Sequence, residues 1–443
     1  MDRVTHPVAM TATALGDRVR HRVNRRLMPF IFLLFIVSFL DRVNISFAGL
    51  QMSRELGFSD SVFGLGGGIF FLGYFLLEVP GGLLAELWSA RKWIARILLT
   101  WGFVSSATGL IHTAPQFYLA RLALGVAEAG FVPAILVYLS HWYRPADRGR
   151  AVAMFFAAIP ASQVVGGPLA SVLLRIHWMG LPGWRWLLIL EGIPALICGM
   201  VTLFYLTERP QDAKWLQSDE REWLVAELAK ESPLSGSHGG LKDAFRALAN
   251  PHVLLLSAIL FLGLNSNYGV QLWLPQMVQR LSNFSASTVS LIAAIPSFCA
   301  LPFMMLTGWH SDRTGERIWH TTIPRLLAGL SLLVCFFVMS SVWASVLMLS
   351  FATIGFYCAH PGFWPLPNVF LGRAAAAASL GLINSFGNLG GFLGPYILGS
   401  LSDRTGGFGP GLLYLAACST MSGLLVLLVK RALGNQTLIR NVR

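Results

Sequence analysis

Four charged side chains lie inside segments of this chain that are otherwise apolar enough to cross a lipid bilayer. Asp41 and Arg42 are adjacent in the first such segment, and Arg121 and Glu128 are seven residues apart in the fourth. A charge at the bilayer centre costs about 2.5–3.5 kcal/mol on insertion scales, so such residues usually face a polar cavity. Because carboxylates take up protons and guanidinium groups bind anions, these residue types predict proton-linked binding of an anion.

The spacing of these charges predicts that they share one site. Arg121 and Glu128 point in nearly the same direction, about two turns apart, because each helical residue turns by about 100°. Asp41 lies about 20 Å along its own helix at about 1.5 Å per residue, a depth comparable to that of Glu128. The two carboxylates and two arginines can therefore line a common cavity.

Two interpretations of this site follow. In the first, ionised Asp41 and Glu128 neutralise the two arginines, and protonation frees an arginine to bind a substrate carboxylate through its two-pronged guanidinium. Proton and anion then bind together, which is symport. In the second, the charges form inert buried ion pairs that hold helices together, although such pairs are a costly means of doing so. These pairs would be Asp41–Arg121 or Arg42–Glu128.

The elements that carry these charges are predicted to be membrane-spanning helices. The chain of 443 residues is 55% hydrophobic and 12% charged, and its mean hydropathy is +0.61, which excludes a soluble globular protein. A helix needs about 20 apolar residues to cross the hydrocarbon core, and about 12 segments meet that length. The predicted spans are 27–47, 61–85, 93–112, 117–141, 151–175, 184–206, 251–279, 284–309, 321–340, 343–366, 379–401 and 411–430.

The net charge of +12 is a signal of topology. Basic residues fall in loops that would all lie on one side of the membrane, which is the positive-inside pattern. This predicts an inner (plasma) membrane protein with both termini in the cytoplasm, and it excludes binding of nucleic acid. Residues 1–26 lack the apolar core of a signal peptide. The basic residues are Arg18, Arg20, Arg22, Arg25, Arg26, Arg91, Lys92, Arg144, Arg148, Arg150, Arg313, Arg317, Arg373, Lys430 and Arg431.

A polar stretch divides the chain into two similar halves. The predicted organisation is a cytoplasmic tail (1–26), a six-helix bundle (27–207), a cytoplasmic central loop (208–250), a second six-helix bundle (251–431) and a cytoplasmic tail (432–443). A motif after the second span recurs after the eighth, 226 residues further along. Repeated halves with a site between them are typical of secondary transporters. The predicted fold class is therefore an all-α polytopic membrane protein with 12 transmembrane helices in two pseudo-symmetric six-helix bundles.

The repeated motif carries a family resemblance. Residues 308–317, Gly-Trp-His-Ser-Asp-Arg-Thr-Gly-Glu-Arg, resemble the loop motif of the major facilitator superfamily. The corresponding loop of the first half, residues 82–92, has Glu86-Leu87 where the superfamily usually has Asp-Arg. The resemblance implies transport by alternating access, with a weaker charge latch in the first half.

Other segments resemble narrower groups within that superfamily. Residues 39–48 and 121–133 resemble the anion:cation symporter branch. Residues 91–97, 310–317 and 384–391 are similar to those of the bacterial tartrate-type transporters. The resemblance implies that the two intramembrane carboxylates carry protons and that the two intramembrane arginines bind the substrate.

Charged residues in the two repeated loops are predicted to gate the cytoplasmic side. Opposite charges near helix ends can pair in one conformation and separate in the other. The alternative is that these residues only anchor the loops in the cytoplasm. The predicted gating residues are Asp312, Arg313 and Arg317 after span 8, and Glu86 and Arg91 after span 2.

Neutral polar and aromatic side chains within the spans are candidates to complete the substrate site. Amides and hydroxyls can hydrogen-bond the hydroxyls or carboxylates of an organic acid. For each of them the alternative is a hydrogen bond or packing contact between helices. The candidates are Tyr74 in span 2, Gln163 in span 5, His360 and Trp364 in span 10, and Asn384 and Asn388 in span 11.

Several kinds of chemistry are absent from the sequence. No phosphate-binding loop, zinc-protease motif, Gly-x-Ser-x-Gly motif or paired cysteine cluster is present, so we predict no catalytic residue, no cofactor, no metal and no enzyme activity. The five cysteines stand singly in apolar segments and are expected to be buried small hydrophobic residues.

These observations predict proton-coupled symport of a small organic anion into the cell. The expected substrate is tartrate or a related hydroxy-dicarboxylate or sugar acid, and a monomer is expected to suffice. One alternative is a proton-coupled drug antiporter of the same fold, although two cavity arginines disfavour cationic cargo. Another is a non-transporting anion receptor, for which the central loop is too short to be a convincing output domain.

Overall fold

A computed structural model describes residues 7–230, 250–367 and 373–441, except for the side chains of residues 7–14, 79, 160, 163, 373–378 and 432–441. In these ranges the regular elements are 15 α-helices and one 3₁₀ helix (Pro210–Asp212), with no β-strand. This agrees with the requirement that backbone groups in a bilayer be satisfied within the segment. The α-helices are α1 (Pro7–Leu56), α2 (Asp60–Leu87), α3 (Ala90–Thr108), α4 (Ala114–Glu128), α5 (Phe131–Trp142), α6 (Pro145–Phe156), α7 (Ala158–Leu173), α8 (Gly183–Tyr205), α9 (Ser218–Ala229), α10 (Pro251–Arg280), α11 (Ala286–Thr314), α12 (Ile318–Phe337), α13 (Val342–Phe363), α14 (Arg373–Thr405) and α15 (Gly409–Asn441).

The predicted membrane-helix fold is confirmed. Among the described residues, nine helical segments are long and apolar enough to cross a membrane. The other three predicted spans, 93–112, 151–175 and 379–401, coincide with α3, with the α6–α7 pair and with α14. The nine segments are Leu15–Leu56, Asp60–Glu78, Ala114–Trp142, Gly183–Tyr205, Pro251–Arg280, Ala286–Thr314, Ile318–Phe337, Val342–Phe363 and Gly409–Arg431.

The fourth predicted span is broken into two helices. α4 ends at Glu128 and α5 begins at Phe131. Between them Gly130 has a φ of +83°, in the left-handed region that glycine favours. A Cβ at Gly130 would lie 2.7 Å from the Cα of Gly81 in α2, so the break also needs a glycine for close packing. The break places Glu128 on the last turn of α4.

Among the described residues, three pairs of helices form most of the contact between the two halves of the chain. α2 packs along α14, α7 along α11, and α1 along α10. The closest approach is between α2 and α14, where a Cβ at Gly64 or Gly68 would lie 2.5 Å from the carbonyl oxygens of Pro395 or Phe392. Glycines therefore allow the backbones of the two halves to touch.

At one end of the bundle, polar contacts join the halves. Asp60, at the start of α2, forms an ion pair with Arg280 of α10 and accepts a hydrogen bond from the Ser402 hydroxyl at 2.6 Å. The backbone N–H groups of Asp60 and Ser61 donate to the carboxylate of Asp403 at 3.0 and 2.8 Å. In the predicted topology this end faces the outside of the cell.

Candidate functional site

A small cavity lies between the two halves and brings both predicted arginines together. Its volume is about 30 Å³, and Arg42 of α1 and Arg121 of α4 line it. The second half contributes Tyr268 and Gln271 of α10 and Pro395 of α14. A water molecule needs a cavity volume of at least about 10–15 Å³, so this cavity has room for about two waters. An organic anion can enter only if the helices around the cavity move apart.

Arg42 is paired with Glu128. The Nε–H group of Arg42 donates to Oε1 of Glu128 at 2.7 Å, and the hydroxyl of Ser38 donates to the same oxygen at 3.0 Å. Glu128 is completely buried. Its other oxygen, Oε2, has no hydrogen-bond partner among the described residues. The carboxylate thus neutralises Arg42 through one oxygen and leaves the other available for a proton.

Aromatic rings hold the guanidinium of Arg42 in place. It lies 4.8 Å from the ring centre of Tyr74, 5.1 Å from that of Phe39 and 5.6 Å from that of Phe70. Arginine over an aromatic face is attracted by the ring quadrupole. Arg42 therefore has a defined position even when its carboxylate partner is neutralised. The predicted substrate residue Tyr74 belongs to this cage.

Asp41 points to a different neighbour from that of Arg42. It accepts hydrogen bonds from the indole N–H of Trp101 at 2.8 Å, from the amide of Asn44 at 3.0 Å and from the hydroxyl of Ser105. Successive residues of a helix differ by about 100° in direction, so Asp41 faces α3 while Arg42 faces the cavity. Of the two ion pairs considered from the sequence, the structure forms Arg42–Glu128.

Arg121 lines the cavity without a carboxylate partner. Its residue is 3% exposed, and its guanidinium lies 5.0 Å from the ring centre of Phe70. Within the described part of the chain, Arg121 makes no ion pair and its Nε has no hydrogen-bond partner. A buried guanidinium stays charged, so an unpaired one that faces a cavity favours an anionic ligand.

Glu78 links the two halves next to the cavity. Its carboxylate accepts hydrogen bonds from the amide of Asn384 and, at 2.8 Å, from the hydroxyl of Ser385, both on α14. Asn388, one turn further along α14, also lies within reach of this carboxylate. In this conformation the predicted substrate residues Asn384 and Asn388 are therefore engaged by Glu78 and do not line the cavity.

Two other predicted substrate residues, His360 and Trp364, are not among the residues that line the cavity. His360 is near the end of α13, with its ring centre 6.4 Å from that of Tyr357. Trp364 follows α13 and is 37% exposed. Gln163 is in α7, and its side chain lies outside the described residues.

The predicted gating loop of the second half forms contacts within itself. Arg317 donates to the carboxylate of Asp312 at 2.8 Å and to the hydroxyl of Ser311 at 2.9 Å. The guanidinium of Arg313 lies 5.4 Å from the ring centre of Trp309.

The corresponding loop of the first half pairs with a residue of its own half and with the first residue of the central loop. Glu86 lies 3.3 Å from Nε2 of His141. Arg91 is within 3.9 Å of the carboxylate of Glu208. In this conformation the described gating residues therefore make contacts near their own loop and do not pair with the gating residues of the other loop.

Several residues of the site were missed from the sequence. Tyr268 lines the cavity, and Trp101 and Ser105 bind Asp41. The available signals were weak: a run of polar residues in span 7 and two polar side chains four residues apart in span 3. Either pattern is also typical of hydrogen bonds that hold helices together.

Comparisons with known proteins agree with this architecture. A family model described as Major Facilitator Superfamily matches residues 31–395. The chain is 43% identical over 420 residues to a protein of Agrobacterium vitis named "Putative tartrate transporter", covering 94% of this chain and 96% of that protein. It is 35% identical over 420 residues to a "Quinolone resistance transporter" of Acinetobacter baumannii, covering 94% and 95%.

A solved structure shows the same fold. It is a bacterial homolog of the human lysosomal transporter Spinster in an inward-facing conformation, with a TM-score of 0.71 and 16% identity. The similarity covers 91% of this chain and 94% of that one.

Proposed function

The chain belongs to the Major Facilitator Superfamily, and we propose that this transporter carries a small organic anion together with protons by alternating access. The observation that supports the proposal most strongly is the unequal state of the two cavity arginines. Arg121 is unpaired, while Arg42 is neutralised by Glu128. Such a site can bind an anion at Arg121. Arg42 becomes available to the anion as well when Glu128 is protonated.

The coupling follows from the competition for Arg42. When Glu128 is ionised, a substrate carboxylate at Arg42 would place two anions against one guanidinium. When Glu128 is protonated, Arg42 lacks a counter-ion and the substrate carboxylate supplies one. Binding of the proton therefore favours binding of the anion, and by linkage the anion favours the proton.

Asp41 is the second proton carrier in this proposal. Its charge interacts with that of Arg121. Protonation of Asp41 would therefore make the cavity more positive, in the same sense as protonation of Glu128. Trp101 and Ser105 act as positioning residues that fix its carboxyl group.

We propose tartrate or a related hydroxy-dicarboxylate or sugar acid as the substrate. Two guanidinium groups on one cavity suit two carboxylates, and Tyr268 and Gln271 can hydrogen-bond hydroxyls. The relative named as a tartrate transporter supports the same class. In the opened site, further contacts are assigned to Tyr74, Gln163, His360, Trp364, Asn384 and Asn388.

The proposed cycle moves the two bundles, 27–207 and 251–431, as units about this site. The contacts of Asp60 with α10 and α14 close the end that we assign to the outside. Two gating loops would act at the cytoplasmic end: one contains Asp312, Arg313 and Arg317, and the other contains Glu86 and Arg91. Both termini, the central loop 208–250 and the tails 1–26 and 432–443 are assigned to the cytoplasm of an inner-membrane protein.

Asp60→Asn is expected to shift the protein towards the state open to the outside. The change removes an ion pair and weakens charged hydrogen bonds, a loss of about 1–2 kcal/mol from the outward-closed state. The measurement is the labelling rate of Ser46→Cys, a cavity residue, by a membrane-impermeant maleimide in a background lacking the five native cysteines. Labelling should rise several-fold.

The matched control for this change is Asp219→Asn, on the surface helix α9, where the carboxylate pairs with Arg18. It should leave the labelling rate of the cavity cysteine unchanged. Equal labelling of Asp60→Asn and the parent protein would show that Asp60 does not hold the outer end closed.

Uptake into proteoliposomes tests the proposed function. Labelled tartrate is added outside vesicles with an inward proton gradient, with and without an uncoupler. Accumulation that depends on the gradient and disappears with the uncoupler would support proton symport of this substrate class. If tartrate does not accumulate, the same assay with sugar acids and monocarboxylates decides whether the substrate or the proton coupling was wrongly assigned.

A second candidate function is proton-coupled efflux of a drug. The relative named as a quinolone resistance transporter favours it. A cavity lined by arginines disfavours purely cationic cargo. A quinolone carries a carboxylate, so such a cavity does not exclude it. Loss of a fluorescent quinolone from loaded vesicles under an inward proton gradient would indicate antiport, because a symporter would lose it in response to an outward gradient.

A further inference from the structure

Arg325 is a buried arginine that the proposed transport cycle does not use. It lies on α12 in the second half and is 1% exposed. A glycine, Gly263 of α10, faces its guanidinium, and a Cβ there would lie 1.4 Å from Nη1 of Arg325. The interior of the second half therefore has space for this guanidinium only because residue 263 is a glycine.

No counter-ion for Arg325 is available within its half. Residues 251–443 contain only three acids, and none lies inside a predicted span. Asp312 pairs with Arg317, Glu316 accepts from the backbone N–H of Trp319 at 2.8 Å, and Asp403 accepts from the backbone near Asp60. Among the described residues no carboxylate forms an ion pair with Arg325.

In the described part of the chain, several buried polar atoms in the region of Arg325 are unsatisfied. Nε and Nη2 of Arg325 have no hydrogen-bond partner among the described residues, and neither has the hydroxyl of Thr322, one turn earlier on α12. The same holds for Nδ1 of His360, a residue close enough for the charge of Arg325 to act on it. Buried polar groups are nearly always paired, so a cluster of unpaired donors indicates a missing acceptor.

The missing acceptor must be an anion. An arginine guanidinium does not lose its proton in proteins, and an isolated buried charge costs several kcal/mol even after relaxation. Water would satisfy the hydrogen bonds but would not neutralise the charge. We propose that Arg325, Thr322 and His360 form a site in the second half for a small monovalent inorganic anion such as chloride.

In this conformation the site lies apart from the cavity between the halves, and of its three residues only His360 is also assigned to the opened substrate site. Arg325, Thr322 and His360 are not among the residues that line that cavity. The tight packing against Gly263 favours an ion of one or a few atoms over an organic acid. The assignment therefore does not depend on which substrate Arg42 and Arg121 bind.

Thermal unfolding of the purified full-length protein in detergent tests the proposal. Sodium chloride replaces sodium methanesulfonate at constant ionic strength. An anion that binds only the folded state raises the unfolding temperature in a saturable way, here by an expected several degrees. Arg325→Met should show no such rise. In chloride-free buffer it should be at least as stable as the parent, because an apolar side chain removes the uncompensated charge.

The control variant is Arg121→Gln, which alters the other unpaired arginine and should keep the chloride effect. A chloride effect that persists in Arg325→Met, or is lost in Arg121→Gln instead, would overturn the assignment. The assignment would also be overturned if chloride did not raise the unfolding temperature of the parent protein. The same holds if only tartrate raised it, and only when Arg325 is present. If Arg325→Met does not fold, the anomalous signal of bromide in crystals of the unchanged protein decides: a peak beside Arg325 supports the site, and its absence rejects it.

Discussion

Replacing Glu128 by glutamine is expected to abolish substrate accumulation driven by a proton gradient while leaving substrate exchange intact. Glutamine keeps the shape of the side chain and an oxygen that can accept from Arg42, but it cannot take up a proton. A gradient of one pH unit supplies about 1.4 kcal/mol per proton, which drives about tenfold accumulation when one proton accompanies each substrate. The variant should equilibrate substrate across the vesicle membrane without exceeding the outside concentration.

The measurement compares two assays on the same proteoliposomes. Gradient-driven uptake reports coupling, and exchange of labelled for unlabelled substrate reports the carrier cycle without net proton movement. The matched control is Glu227→Gln on the surface helix α9, where the carboxylate pairs with Lys230 and Arg144, and both of its activities should equal those of the parent. Accumulation by Glu128→Gln at the parent level would remove Glu128 from the coupling mechanism.

Replacing Arg121 by glutamine is expected to weaken substrate binding by about 100-fold or more. Arg121 is the cavity cation without a carboxylate partner, so a substrate carboxylate loses its charged hydrogen bonds there. Each bond to a charged group contributes about 1.5–3 kcal/mol, and a guanidinium can offer two in parallel. Binding of labelled substrate to the purified protein measures the change directly.

Arg121→Lys separates the effect of charge from that of geometry. Lysine keeps the positive charge but offers a point charge in place of a planar fork, so its affinity should fall between those of the parent and Arg121→Gln. The control is Arg18→Gln, since Arg18 is exposed near the N-terminal end of α1 and pairs with Asp219. Unchanged affinity in Arg121→Gln would show that the anion binds elsewhere.

The sequence alone determined that this protein is a helical membrane transporter of the major facilitator type. A bilayer admits only segments that satisfy their own backbone, so length and hydropathy locate the spans. Charges inside such segments are costly, so Asp41, Arg42, Arg121 and Glu128 could be singled out without coordinates. The loop motif of residues 308–317 identified the superfamily that the comparison then confirmed.

The choice of partners was decided only by the tertiary structure. Asp41 and Arg42 are neighbours in sequence but point about 100° apart on one helix. Which of them meets Glu128 depends on the helix that packs against each face, and a sequence of spans does not contain that information. In the structure Glu128 pairs with Arg42, and Arg121 has no carboxylate partner among the described residues.

The same reason explains what the sequence missed. Tyr268 reaches the cavity because α10 packs against α1 across the boundary between the halves. The absence of acids from the spans of the second half was readable in the sequence. The burial of Arg325 against Gly263 and its unsatisfied donors could not be predicted from the sequence. Burial and hydrogen-bond partners depend on packing between helices that are distant in the chain.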